Sequence, residues 1–365
     1  MGTITVSRTE LGKALDFASL GLSKRPVAPV LGGILVTVEP HALFLAAFDY
    51  ETCATVRVDG QAGGAGRVLV AGSELAAVVK SLPKGRNAQA EVTAEDDGLI
   101  VVCGDVEAVL SSLPLEEYPA LPPVPAESGL VAADVFARAV ARAVACAGTD
   151  DTLPALTCVK VTSEAGMLEL AATDRYRLAV DRVTWTGEDG ADVLIPARVL
   201  TAFAGKADKH GKVSLHFAGD LAGLSDGTRT LITHVNPAEF PKHYAKLIPD
   251  AASAATTVLA DAAALGEAVT RAGKLLGRNE PAILEISAEG ITVIAMRDGD
   301  VASSQPVPAV LDGDAMTARF CPAYLASVLA GVEGEAWLSF ASAAKPVLVT
   351  GDDGYRGVCM PVRLP

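Results

Sequence analysis

Arginine and lysine side chains recur on segments whose apolar spacing predicts helices. Arg138 and Arg142 are four residues apart and Arg271 and Lys274 are three apart, so each pair shares a helix face. Cations arranged in this way can contact nucleic-acid phosphates without reading the bases. Ordinary solvated helix faces are the alternative interpretation for any single residue. The predicted phosphate-contacting residues are Lys24, Arg25, Lys80, Arg138, Arg142, Arg198, Lys206, Arg271 and Lys274.

The sequence contains histidine, aspartate and glycine residues of the kinds that form catalytic, metal and phosphate sites, but their spacing does not match any such site. The sequence has no HExxH, GxSxG or Walker A motif, and its five histidines show no metal-ligand spacing. The glycine-rich stretch 60–66 joins two predicted strands, whereas a phosphate cradle requires a helix N-terminus. Asp49, Asp174 and Asp298 recur at strand ends and are interpreted as turn caps. We therefore expect a protein that is not an enzyme and holds no cofactor and no metal.

Composition narrows the class of protein further. The 365 residues are 50% apolar and 20% charged, which excludes disorder and allows a large core. The formal charge of −14 argues against a protein that coats nucleic acid with its whole surface. No apolar run approaches the ~20 residues that span a bilayer, and the N-terminus has no signal-peptide pattern. The six cysteines form no CxxC pair, which predicts free thiols in a reducing cytoplasm.

The sequence repeats itself at a spacing of about 125 residues. A segment that ends at Asp49 recurs at Asp174 and, more weakly, at Asp298, and a second anchor keeps the same order and period. Several anchors in one order at one spacing predict three homologous domains. The predicted domains are residues 1–122, 127–249 and 255–365.

Each copy of the repeat has the same predicted order of elements. A short strand leads into a helix, alternating strands follow, and a second helix precedes the closing strands. Two helices and about eight strands per copy predict an α+β fold, in which the helices collect on one face of antiparallel sheets. The predicted first helices span 9–20, 134–147 and 261–276, and the second helices span 73–82, 198–206 and 322–330.

Short motifs then connect the repeats to a known family. They read RPVAPVL over 25–31, TDRYRLA over 173–179 and MPVRL over 360–364. With these motifs in three copies of this length, the whole chain resembles the bacterial β sliding clamp family, a subunit of the DNA polymerase III complex. The resemblance implies a head-to-tail homodimer that forms a ring of six domains around duplex DNA, without base specificity. It also implies a nucleoid-associated, non-catalytic processivity factor in the cytoplasm.

The resemblance further implies a pocket between the second and third domains. Short linear peptides of the replicative polymerase, the clamp loader and repair polymerases would dock there. Arg175 and Tyr176 stand where many clamps have a small residue and a histidine, and Phe240–Pro249 is one residue longer than usual. The implied peptide-binding residues are Leu156, Thr173, Arg175, Tyr176, Arg177, Leu178, Pro241, Leu247, Tyr324, Pro346, Val358, Met360, Pro361, Val362 and Arg363.

A ring of this kind closes between the first domain of one chain and the third domain of the other. Leu275 and Leu276 end a predicted helix among cations, so we expect them at the dimer interface. Two alternatives stay open: a specialised or inhibitor-tolerant clamp paralogue, and a clamp-fold peptide-binding module that is not loaded on DNA. An enzyme built on a three-repeat scaffold is disfavoured because the sequence has no catalytic set.

Overall fold

The computed structural model describes the chain except for Lys24, Arg86, residues 278–279 and residues 363–365. The described residues form six α-helices and 27 strands, with short 3-10 turns between them. None of these helices is long and apolar enough to cross a membrane. The helices are α1 (Arg8–Ala18), α2 (Gly72–Ser81), α3 (Ala133–Val144), α4 (Ala197–Ala204), α5 (Ala262–Leu275) and α6 (Pro322–Leu329).

The strands divide evenly among the three copies of the repeat. The first copy holds β1 (Gly2–Ser7), β2 (Gly33–Glu39), β3 (Ala42–Phe48), β4 (Thr52–Asp59), β5 (Gln61–Ala62), β6 (Gly66–Ala71), β7 (Gln89–Ala94), β8 (Gly98–Cys103) and β9 (Val106–Ser111). The second copy holds β10 (Gly129–Ala132), β11 (Cys158–Glu164), β12 (Met167–Thr173), β13 (Arg177–Thr184), β14 (Thr186–Gly187), β15 (Asp192–Pro196), β16 (Lys212–Ala218), β17 (Leu221–Ser225) and β18 (Arg229–His234). The third copy holds β19 (Thr256–Asp261), β20 (Ala282–Ser287), β21 (Gly290–Arg297), β22 (Asp300–Val307), β23 (Ala309–Gly313), β24 (Met316–Phe320), β25 (Glu335–Phe340), β26 (Val347–Thr350) and β27 (Arg356–Cys359).

All three copies have one order: strand, helix, five strands, helix, three strands. The six α-helices begin and end within three residues of the predicted bounds. Every strand pair with a described register is antiparallel, for example β2 with β3 and β20 with β21. The predicted α+β architecture of helices and antiparallel sheets is therefore confirmed.

The contacts of the chain define two compact units. The first consists of Met1–Ala133 and Ala202–Val235, and the second of Asp134–Thr201 and Asn236–Pro365. Each unit therefore combines strands of two successive copies, because the sheets continue from one copy into the next. The partition into three domains of about 120 residues stays a prediction based on the repeat.

The first unit has two sheets. One has the strand order β5-β1-β7-β8-β9, and in the other the unit contributes β10-β16-β17-β18-β4-β3-β2-β6. Helix α1 buries Leu11, Leu15 and Phe17 on one face, and the Phe17 ring lies edge-on to Phe203 with 6.3 Å between centroids. Burial of this apolar face fixes the helix on its sheet.

The second unit has a nine-stranded and a four-stranded sheet. Their strand orders are β15-β11-β12-β13-β27-β26-β25-β19-β23 and β22-β21-β20-β24. Helices α5 and α6 pack on each other, with Leu265, Val269, Leu325 and Val328 fully buried. Asp261 caps α5, since its carboxylate accepts the Ala264 N–H at 2.7 Å.

Two strand pairs join successive copies of the repeat, and we call them the first and the second junction. The first junction is the β4–β18 pair, with Val56 opposite Arg229. The second junction is the β13–β27 pair, with Leu178 opposite Val358. In both junctions the fourth strand of one copy pairs with the last strand of the next copy.

Candidate functional site

The turn between β12 and β13 presents two exposed side chains at one end of the second junction. The Asp174 carboxylate accepts the N–H groups of Tyr176 and Arg177, both at 3.0 Å. The Thr173 hydroxyl donates to the Arg177 carbonyl at 2.7 Å and accepts the Arg175 N–H at 3.1 Å. Arg175 has a left-handed φ of 79° and is exposed, as is Tyr176. These local bonds hold both side chains outward, and the predicted turn-capping role of Asp174 is confirmed.

Aromatic and cationic groups connect this turn to helix α6. The rings of Tyr176 and Tyr324 stack with 5.5 Å between centroids and an interplanar angle of 12°. The Arg177 guanidinium lies 5.0 Å from the centre of the Tyr324 ring and donates to the Ser327 hydroxyl. Its Nε is 3.0 Å from the Asp174 carboxylate. Burial, followed by the Asp174 charge, raises the pKa of Tyr324.

An apolar cluster lies where β13 meets β27. Leu178 and Val358 are buried in it, and Phe240 packs there from the chain that leads into the third copy. The Phe240 ring is edge-on to Tyr244, with 5.3 Å between centroids. Directly after β27, the Met360 N–H donates to the Tyr176 carbonyl at 2.8 Å, and 37% of Met360 is exposed. The site thus combines a buried apolar base with an accessible, adaptable methionine.

Tyr244 anchors the segment 241–249 beside this cluster. Its hydroxyl donates to a Glu169 carboxylate oxygen at 2.5 Å, and the other oxygen of Glu169 binds Arg182 Nε at 2.5 Å. Burial, followed by the bond to Glu169, raises the pKa of Tyr244. Leu247, the last residue of the same 3-10 turn, is 58% exposed. The segment can therefore offer Leu247 to a ligand.

The remaining predicted peptide-binding residues are placed as follows. Leu156 is buried in the 3-10 turn Pro154–Thr157, and Pro241 and Pro346 are half-buried. Pro361 and Val362 are half-buried next to β24, where the Val362 N–H donates to the Arg319 carbonyl at 2.8 Å. Arg363 lies outside the described residues.

Sequence reasoning did not include several members of the cluster. Phe240, Tyr244 and Ile248 contact it from the 240–249 segment, and Leu348 contacts it from β26. The signal that could have found them is the apolar and aromatic spacing of that segment, Phe240 to Tyr244 to Ile248, which places one such side chain every four residues.

The predicted phosphate-contacting cations fall into exposed, half-buried and buried groups. Lys80 is exposed in the last turn of α2, and Arg271 and Lys274 are exposed on α5. Arg138 is half-buried on α3. Lys24 lies outside the described residues. The remaining exposed members are Arg25, Arg198 and Lys206.

A groove between α1 and α2 carries cations that the prediction omitted. Its volume is about 520 Å³, equal to that of the α5–α6 groove, and its charged lining residues are Arg8, Lys13, Lys80, Lys84 and Asp16. Arg8 crosses the groove and donates to the Val79 carbonyl at 2.9 Å. The signal available in the sequence was the i,i+4 spacing of Lys80 and Lys84 at the end of a predicted helix.

The prediction that Arg142 contacts a phosphate is wrong, because this side chain is buried. The side chain is 5% exposed and pairs with Asp181 at 3.0 Å and with Asp353 at 2.5 Å. The physical reason is its position on α3, between the buried residues Ala139 and Cys146 at spacings of three and four. Arg142 therefore belongs to the packed face of the helix, and Arg138 remains in the proposed set.

The two leucines expected at the dimer interface differ in exposure. Leu275 is 43% exposed at the end of α5. Leu276 is half-buried and packs against the core of the second unit. Among the described residues, no group of three or more His, Cys, Asp or Glu side chains is arranged to hold a metal ion.

The comparisons with known proteins agree with this fold. Residues 3–122 match the family model of the DNA polymerase III beta subunit, N-terminal domain, and residues 130–242 match the model of its central domain. The chain therefore belongs to the DNA polymerase III beta subunit family, whose members are the bacterial beta sliding clamps.

Curated relatives and solved structures show the same likeness over the full length. The Streptomyces coelicolor beta sliding clamp is 35% identical over 99% of both chains, and the Streptomyces muensis beta sliding clamp homolog GriR is 32% identical over 98% of both. The beta subunit structure from Thermotoga maritima covers 100% of both chains at 25% identity with a TM-score of 0.86. The Bacillus subtilis sliding clamp structure covers 100% of both at 22% identity with a TM-score of 0.90, which supports the fold alone.

Proposed function

We propose that this chain is the subunit of a DNA sliding clamp. Two copies close head to tail into a ring around duplex DNA, and the ring tethers the replicative polymerase by topology rather than by tight binding. The role is non-catalytic, and the chemistry belongs to the polymerase that docks on the ring. The observation that carries the proposal is likeness to a beta sliding clamp over 99% of both chains.

Strand topology supports a ring closed by a second copy. The fourth strand of the first copy pairs with the last strand of the second, and the same positions pair between the second copy and the third. The fourth strand of the third copy is β22 and the last strand of the first copy is β9, and each lies at the edge of its sheet. A partner chain would pair its β9 with β22 and so form the third junction twice in a two-fold dimer.

The side chains at these two edges fit an interface. Val109 on β9 is 69% exposed and Val301 on β22 is 59% exposed. Helix α5 packs against β21 and β22, and exposed Leu275 stands at its end. An unpaired edge strand with exposed apolar side chains is a template for pairing with another chain. The proposed interface therefore contains Leu275, Leu276 and both edge strands.

The helix cations support sequence-independent contact with DNA. The chain is acidic overall, yet lysine and arginine outnumber acidic residues in the α1–α2 groove, where Asp16 is the acidic lining residue, and in the α5–α6 groove, where Glu267 is. A sliding protein needs many weak phosphate contacts and no base contacts, so its affinity falls steeply with salt. The proposed contacts are Lys24, Arg25, Lys80, Arg138, Arg198, Lys206, Arg271 and Lys274, to which the structure adds Arg8, Lys13 and Lys84.

The apolar cluster at the second junction is the proposed docking site for short peptides. Met360, Leu247 and Tyr176 are exposed on the segments that flank buried Leu178 and Val358. Apolar sites with a few placed polar groups suit peptide anchors of this kind. Arg175 is exposed on the turn of the site and Lys246 on the 241–249 segment, while Lys242 pairs with exposed Glu239. A peptide with an acidic residue beside an apolar anchor therefore fits best. Peptides of polymerases, the clamp loader and repair proteins are the proposed ligands.

A loading assay on nicked circular DNA tests the proposal directly. The wild-type chain, incubated with clamp loader and ATP, should stay on circles during gel filtration and be lost after the circles are linearised. Loss after linearisation separates enclosure from ordinary binding. Absence of retention, with peptide capture intact, would instead identify a clamp-fold peptide-binding module that is not loaded on DNA.

A further inference from the structure

A buried group of charges lies at the second junction, outside both proposed binding surfaces. Arg142 on α3 donates to the Asp181 carboxylate on β13 and to the Asp353 carboxylate in the turn between β26 and β27. Arg142 and Asp181 are only 5% and 2% exposed, whereas Asp353 is 39% exposed. One guanidinium thus bridges three segments of the second unit.

Tyr355 extends this group to helix α6. The Arg142 guanidinium lies 5.0 Å from the centre of the Tyr355 ring, and the Tyr355 hydroxyl donates to the Val328 carbonyl at 3.2 Å. The ring is fully buried above Gly331, where any Cβ would collide with it. The turn that precedes β27 is therefore held by an ion pair on one side and by a helix on the other.

The bridge lies at one end of a short strand pair, and the peptide site lies at the other. Strands β13 and β27 share four residue pairs, from Val180 opposite Arg356 to Arg177 opposite Cys359. Asp181 directly follows the first of these pairs. Met360 directly follows the last, about 17 Å from the level of Asp181 along the strand. Whatever sets the register of β27 on β13 also sets the position of Met360.

Backbone hydrogen bonds alone specify this register weakly, because every residue offers the same N–H and C=O groups. A slip by one residue would turn each side chain of β27 to the opposite face. Val358 would then leave Leu178 and the apolar cluster. The buried face of β27 therefore specifies the register, and Arg142 reinforces it with directional bonds to β13 and to the turn before β27 at once.

We propose that Arg142 is a positioning residue, which reinforces the register of β27 on β13 and thereby the shape of the peptide site. This inference rests on the proposed function for its ligand, but the geometry that it concerns belongs to the chain alone. The bridge carries a net negative charge, because one guanidinium faces two carboxylates. In addition, the Oδ1 atom of Asp181 is buried without a hydrogen-bond partner among the described residues. Stability and register can therefore be separated by experiment.

Asp353→Ala is the informative variant. It leaves Arg142 and Asp181 as a buried pair and removes the partner that is 39% exposed, so the melting temperature should fall by no more than about 4 °C. The link to the β27 turn is lost, however. We expect affinity for a fluorescein-labelled peptide, selected from a random library on the wild-type protein, to fall roughly tenfold.

The matched control is Asp352→Ala, which removes the exposed neighbouring carboxylate from the same turn. It should change peptide affinity by less than about twofold. Asp353→Asn keeps an oxygen acceptor for Arg142 and should recover most of the affinity. Recovery by this conservative variant indicates positioning by the hydrogen bond.

Methionine-methyl NMR gives a second measurement that needs no ligand. The ¹³C-methyl signal of Met360 should shift or broaden in Asp353→Ala, while those of Met296 and Met316 in the four-stranded sheet stay in place. An unmoved Met360 signal with wild-type peptide affinity would overturn the inference. If the library yields no peptide for the wild-type protein, the peptide-docking proposal fails, and the Met360 signal still decides whether Arg142 reinforces the register.

Discussion

The two junctions of the chain use one backbone arrangement with different buried side chains. At the first junction, Asp49 accepts the N–H groups of the two strand-entry residues Glu51 and Thr52, as Asp174 does for Tyr176 and Arg177 at the second. The residues that follow the aspartates differ. The first turn carries Tyr50 and Glu51, with the Tyr50 ring centroid 5.6 Å from that of Phe48, whereas the second turn carries Arg175, Tyr176 and Arg177. Both turns are therefore aromatic, and the second is also cationic.

The interiors of the two junctions differ in the same way. The repeat places Phe17 and Val56 of the first copy where the second copy has Arg142 and Asp181. Phe17 and Val56 are buried apolar side chains, while Arg142 and Asp181 form a buried ion pair. Apolar contacts stabilise without direction, whereas a guanidinium–carboxylate bridge specifies geometry at a cost in desolvation. The first junction has a charged pair of its own, Asp226 with Arg229, but these residues are three apart in the chain, whereas Arg142 joins a helix to a strand and a turn.

The largest expected effect comes from breaking the charged interior. Arg142→Ala leaves Asp181 buried without a cation and should lower the free energy of unfolding by about 3–5 kcal/mol. The double variant Arg142→Phe, Asp181→Val copies the first junction and should restore most of that stability without restoring peptide affinity. Urea denaturation and peptide titration measure the two quantities. A double variant that binds peptide normally would show that the charges are dispensable for the site.

The next effect concerns the third junction, which only a dimer can form. Leu275→Asp places a charge at the proposed interface and should convert the dimer to a monomer in light scattering at micromolar concentration, because an unpaired buried charge costs several kcal/mol. Val124→Asp is the control, since Val124 is 54% exposed and lies outside β9, β22 and α5. If Leu275→Asp remains a dimer while folded, the interface lies elsewhere.

A smaller effect separates the two turns. Tyr176→Ala removes the stack on Tyr324, worth about 0.5–1.5 kcal/mol, and should weaken peptide binding roughly two- to tenfold. Tyr50→Ala changes the corresponding turn of the first junction, where Tyr50 is 57% exposed, and should leave peptide affinity unchanged. Fluorescence polarisation with both variants checks this difference. Equal losses in the two variants would contradict a site confined to the second junction.

The smallest expected effect concerns the pH dependence of the free energy of unfolding. The turns that precede β18 and β27 should contribute to it to different extents. Asp226 and Asp353 each lie three residues before their strand. Burial alone would raise the pKa of either carboxyl, but backbone N–H groups and Arg229 around Asp226, and Arg142 beside Asp353, lower the net pKa. A lowered pKa adds stability above the unfolded-state pKa, and this stability is lost as the pH falls through the folded-state pKa.

Both Asp226→Asn and Asp353→Asn should therefore flatten the loss of stability between about pH 5 and pH 2. The flattening should be greater for Asp226→Asn, because Asp226 is 2% exposed and Asp353 is 39% exposed. Chemical denaturation at a series of pH values gives both slopes. A steeper acid dependence in either variant would contradict the assigned direction of its pKa shift.

Local rules account for the parts of the molecule that the sequence predicted well. The repeat period, the six helices and the turn caps Asp49 and Asp174 all depend on residues within a few positions of one another. Helix periodicity and Asx turns are properties of such short segments, so they can be recognised without knowing what packs against them. The motif over 173–179 identified the exposed turn for the same reason.

Arg142 shows where local rules stop. Its spacing from Arg138 predicts a solvated face, yet its partners Asp181 and Asp353 lie 39 and 211 residues away in the sequence. Phe240 and Tyr244 joined the site in the same way, through packing against distant strands. The sequence by itself determined the repeated elements and their family, whereas the pairing of β13 with β27 decided which side chains are buried together. Burial of a side chain depends on the residues that pack against its segment. Those residues are distant in the sequence, so only the folded chain determines which side chains are buried together.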